Sequence, residues 1–138
     1  YNKAMELWLR AGELGYTTSY SNIARAYLLG RGVERDLKKE RYYFELAAIG
    51  GHVVARHNLG IMEKDAGNMR RAVKHWMIGA RAGHGESLEN VRLCFMTGDA
   101  TKDEFEKALR AHKEANDEMK SDQRDAIAEI LSNEILEY

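Results

Sequence analysis

Three stretches of this chain fall into one register: LWLRAGELGYTTSYSNIARAYLLGRG from Leu7, YFELAAIGGHVVARHNLGIMEKDAG from Tyr43, and HWMIGARAGHGESLENVRLCFMTGD from His75. Trp8, Phe44 and Trp76 align, as do Gly15, Gly51 and Gly83, then Tyr16, His52 and His84, then Asn22, Asn58 and Asn90, then Ile23, Leu59 and Val91. The offsets are 36 and then 32 residues. The difference falls in the link between the two helices of a unit, LLGRGVERDLKK in the first and EKDAGNMRR in the second, where a loop can lose residues and a packed helix cannot. A period of this size limits the fold to stacked supersecondary units.

Helical spacing within each unit predicts two antiparallel helices. The A helices are expected over 18–29, 54–65 and 86–97, and the B helices over 38–49, 69–82 and 102–119. Residues 2–14 read as the B helix of a preceding unit and 122–136 as a separate final helix, about eight helices in four hairpins. The chain has no proline and is 44% hydrophobic and 31% charged, which suits an all-helical fold. Gly15, Gly50 with Gly51, and Gly83 sit where B helices should stop, a position that favours left-handed backbone. Thr101 or Asp103, and Ser121 or Asp122, supply helix-starting oxygens. Gly60, inside an A helix at a cost of about 1 kcal/mol, marks a close approach between backbones, as do Ala24, Ala47 with Ala48, and Gly79 with Ala80.

Single residues carry little chemistry in this sequence. Cys94 stands alone, which excludes an internal disulfide and any Cys-based zinc motif, and in RLCFM it reads as a buried thiol. The histidines 52, 57, 75, 84 and 112 form no tight ligand pair, so no metal and no cofactor is expected. Trp8, Tyr27, Tyr42, Tyr43, Phe44 and Trp76 read as core. The recurring Asn22, Asn58 and Asn90 either bond a neighbouring helix or meet a ligand backbone. No apolar run is long enough to span a bilayer, so no membrane partner is expected. The start at Tyr1, without an initiator methionine, suggests a piece lacking its native N-terminus, and the lone cysteine suits a cytoplasmic, reducing setting.

Net charge is −1, but residues 25–81 carry twelve basic and six acidic groups, and 117–138 two basic and seven acidic. Nucleic-acid or anionic-ligand binding through the basic middle is therefore the alternative function, although Arg70, Arg71, Lys74 and Arg81 lack interleaved aromatics and fit a solvated face better. The opposed charges also allow a homodimer through the acidic C-terminal helix.

ARHNLGIM, GRGVERDLKKERYYFELAAIGGH and MRRAVKHWMIGARAGH together resemble Sel1-like repeats, relatives of tetratricopeptide repeats, over about residues 4–119. Arg92, His112 and Asn116 depart from that pattern and mark the last unit as a divergent cap. The resemblance implies one domain over 1–138: a B helix (1–16), repeats at 17–52, 53–84 and 85–120, and a C-terminal helix (121–138). It further implies an α-solenoid, a right-handed superhelix whose A helices line a concave groove. The implied work is a non-enzymatic scaffold or adaptor that binds a protein or peptide. Groove positions would be Ser21, Arg25, Leu28, His57, Ile61, Lys64, Glu89, Leu93 and Met96, with Asn22, Asn58 and Asn90 beside them. Glu86 and Asn90 stand where a carboxylate clamp needs cations, so an acidic chain terminus is not the expected ligand. Relatives linked to hydrolase activity carry disulfide pairs in each repeat, which a single cysteine does not permit.

Overall fold

A computed structural model describes residues 3–136, which form helices joined by turns with no strand among them. The helices are α1 (Lys3–Glu13), α2 (Thr18–Leu29), α3 (Leu37–Ile49), α4 (Val53–Asp65), α5 (Met69–Arg81), α6 (Gly85–Thr97) and α7 (Lys102–Leu136). Each packs against its neighbours in the chain, and α7 closes on both α5 and α6.

The turns after α1, α3 and α5 share one geometry. Gly15, Gly51 and Gly83 have φ of 101°, 92° and 91°, which a side chain would strain. Tyr16 N donates to Ala11 O (2.9 Å), His52 N to Ala47 O (2.9 Å) and His84 N to Gly79 O (3.0 Å), closing the last carbonyls of each helix in the same way. The links after α2 and α4 differ, as their lengths require. Asp36 begins α3 by accepting from Lys38 N and Lys39 N, at 3.0 and 3.1 Å. Thr101 begins α7 in a reciprocal box, its hydroxyl accepting from Glu104 N and its own N–H donating to Glu104.

The core is a string of three clusters. Met5, Ile23, Ala26 and Tyr27 form the first. Ala24, Phe44, Ala47, Ala48, Ala55 and Leu59 form the second. Ala72, Val73, Trp76, Ala80, Val91, Cys94, Ala100 and Ala108 form the third, flanked by the stacked rings of Phe95 and Phe105. Trp8 and Tyr43 are half-buried and pack against the first cluster, whereas Tyr42 is exposed, edge-on to Tyr43, and does not belong to the core as expected.

Two expectations need correction. There are seven helices among the described residues, not about eight, because 102–119 and 122–136 are one continuous helix of 35 residues. Ser121 and Asp122 can start a helix but do not stop one, and α7 contains neither glycine nor proline to break it. The boundary at 121 therefore has no structural counterpart. Gly60, in turn, makes room for a ring rather than a backbone: a methyl there would collide with the indole of Trp76.

Candidate functional site

α2, α4 and α6 expose equivalent positions at the spacing of the repeat. Arg25, Ile61 and Leu93 share one position, and Leu28, Lys64 and Met96 the next. Arg25, Lys64 and Glu89 are exposed and Leu28 is half-buried. Ile61 is 38% exposed, Leu93 46% and Met96 67%, so three apolar side chains stand in water on adjacent elements. Glu89 is paired with Arg92, whose guanidinium also reaches Met96 Sδ at 3.0 Å.

Two pockets open beside these positions, each of about 220 Å³. One is lined by Lys64 and Met69, by Trp76 at its floor, by Asn90, Leu93, Cys94 and Thr97 of α6, and by Asp99. The other is lined by Trp8, Asn22, Arg25, Ala26, Leu29 and Arg31. Trp8 and Trp76, Asn22 and Asn90, Arg25 and Leu93, and Arg31 and Asp99 are each 68 residues apart, so the two pockets fall at corresponding positions of the aligned stretches. Their chemistry differs: two arginines face the pocket beside Trp8, and apolar groups with one lysine and one aspartate face the pocket beside Trp76. The side-chain amides of Asn22, Asn58 and Asn90 bond no other described residue and are half-exposed, which leaves them available to an external partner.

Ser21 and His57, both expected in the groove, are buried instead, at 4% and 6% exposure. The reason lies in the next turn. His52 reaches back so that its Nδ1 meets the Ser21 hydroxyl at 2.8 Å. In the next aligned stretch the His84 ring packs edge-on against that of His57, with 4.9 Å between centroids. Ser87, fully buried, joins the pair: its Oγ is 2.9 Å from His57 Nδ1 and 2.8 Å from His84 Nδ1. Ser87 N–H donates to His84 Nδ1, which makes that nitrogen the acceptor. The hydroxyl therefore donates to His84 Nδ1 and accepts a hydrogen bond from His57 Nδ1–H. Trp76 Nε1 donates to His57 O at 3.2 Å. Burial, and secondarily the neighbouring His84, hold the His57 imidazole below its ordinary range despite Glu86 at 3.8 Å.

Connected in this way, Ser87, His57 and Glu86 resemble a proton relay. The Ser87 hydroxyl is sealed from solvent, however, and occupied by two imidazoles, so its work is to lock α4 to α6. Cys94 is buried, and burial raises its thiol. Among the described residues no three His, Cys, Asp or Glu side chains gather as metal ligands, and no helix is long and apolar enough to cross a membrane.

The basic middle is partly neutralised. Arg41 pairs with Glu45 and with the buried Glu63, and Arg70 binds Glu104 and the carbonyl of Asp99. Arg71, Lys74 and Arg81 remain exposed along α5. No protein-family model and no curated protein sequence matches the chain.

Proposed function

We propose that the chain is a Sel1-like repeat unit, a right-handed solenoid without enzymatic activity, and that it holds a peptide or helix of another protein against α2, α4 and α6. The observation that carries this reading is the pair Ile61 and Leu93. They occupy one repeat position on two helices, both are solvent-facing, and Leu93 and Asn90 line the pocket over Trp76. Apolar anchors spaced along a face and rimmed by charge suit capture of a peptide. Unbonded amides at a recurring position would add contacts to its backbone. Binding to nucleic acid is supported less, because Arg41 and Arg70 already have carboxylate partners.

The test is selection of peptides on the immobilised chain, followed by affinity measurement of the enriched sequences. Ile61→Glu with Leu93→Glu should weaken binding by about tenfold or more, since both anchors are lost, whereas Arg71→Glu should leave it unchanged. Retention of affinity in the double variant, with its helical circular dichroism intact, would remove this face from consideration.

A further inference from the structure

The body of the molecule ends near Asn116. A methyl added at Gly83, in the turn after α5, would lie 3.7 Å from both Ala115 Cβ and Asn116 Oδ1, which places these residues beside the last turn of the stack. Beyond them every residue from 117 to 136 is exposed, and α7 continues unbroken. That leaves a rod of roughly 30 Å with no contact to its own body. Ile127, Ile130 and Leu131 are 57%, 58% and 53% exposed along it, and an isolated helix of this length is marginal in water.

The charges on the rod are sorted. Successive residues turn by about 100°, so Lys120, Ile127 and Glu134, seven apart, share one face with Gln123, Arg124, Ile130 and Leu131 beside them. Asp122, Asp125 and Glu129 fall on the opposite face. The apolar face thus has its cations on one side of Ile127 and Glu134 on the other. Lys120, Gln123, Arg124 and Ile127 also bound an open depression, and their spacing of i, i+3, i+4 and i+7 is that of a hole that receives a side chain in a coiled coil.

We propose that residues 117–136 pair with the same segment of a second copy, antiparallel, about a two-fold axis through Ile127. Lys120 of one chain then lies level with Glu134 of the other, and Gln123 and Arg124 level with Leu131 and Ile130. The depression of each rod is filled by the apolar pair of its partner. The contact is isologous and closes at two chains. A parallel pairing would set Lys120 on Lys120 and Glu134 on Glu134, and so is disfavoured.

Sedimentation of the full chain from low to high micromolar concentration tests this. The expected result is a monomer–dimer equilibrium that Ile127→Glu with Leu131→Glu abolishes; these side chains are exposed in the monomer, so the thermal midpoint of the body should persist. Lys120→Glu or Glu134→Lys alone should weaken association by about tenfold. The two together should restore it, as only an antiparallel arrangement permits. A chain that stays monomeric throughout overturns the proposal, as does a dimer that survives the apolar pair of substitutions. A dimer lost instead through Ile61→Glu with Leu93→Glu would move the interface to the α4 and α6 face.

Discussion

Gly60 and Trp76 set the tolerance of the third cluster. Alanine at Gly60 would gain about 1 kcal/mol of helix propensity, but its methyl meets the indole that also donates to His57 O. Overpacking of this kind costs about 1–3 kcal/mol. Gly60→Ala should therefore be net destabilising in urea unfolding, and less so in a Trp76→Phe background, where the ring is smaller. The buried His57 and the half-buried His52 and His75 should give the molecule a pH dependence. Burial lowers His52, His57 and His75, each also beside a cation or second imidazole. The unfolded chain then binds protons that the folded one refuses, so stability is complete above the ordinary imidazole value of about 6.5 and falls as pH drops below it. A thermal midpoint that decreases through this range, less steeply in His57→Asn, is the expected result; a flat profile would contradict it. Gly60 was legible in the sequence as a close approach, but the group approaching it was not. His57 was misplaced because its outward position ignores the turn that follows. The signal was present, since His52 and His84 recur at the one place able to cover positions 21 and 57.

At the scale of the element, α4 carries a buried charge. Glu63 is 2% exposed; burial pushes its carboxyl up, but the hydrogen bonds from Arg41 and Asn68 outweigh this and hold it below the usual range. The bond from Asn68 is 3.0 Å, so one carboxylate joins α3 to the turn before α5. Arg41→Ala should cost about 2 kcal/mol in urea unfolding, below the full penalty of an orphaned buried charge because Arg41 is itself 39% exposed and water can reach the site. α7 shows the limit of local reading. Its start at Thr101 was written in the capping residues, whereas Ser121 and Asp122 suggested a second start that nothing enforces. Stop signals, not start signals, divide helices. Truncation after Asn116 should leave the thermal midpoint of the dilute, monomeric protein nearly unchanged while helical signal is lost, because residues 117–136 contribute no packing to the body.

Across the whole molecule, the core is distributed along the chain in three clusters, and contacts join elements close in sequence. In the repeat array proposed above, stability is approximately a sum of neighbouring interfaces. Met5→Ala should raise amide hydrogen exchange in α1 and α2 and leave α5 and α6 protected, whereas Trp76→Ala should expose α4 through α7 together. Uniform loss of protection in both variants would show a single cooperative unit instead. Helix order was legible because each unit repeats its own signals; the free length of α7 was not, because it depends on where the body stops. That length has a geometric consequence. An unbroken helix joins the body to the apolar stripe of the rod, so the direction in which the stripe faces is fixed by a count of residues. One residue inserted after Asn116 would turn the stripe by about 100° relative to the helices behind it and advance it by about 1.5 Å, while four would return it to within about 40°. The rod is thus a shaft with a set phase, and whatever grips its far end is oriented toward the body by register alone.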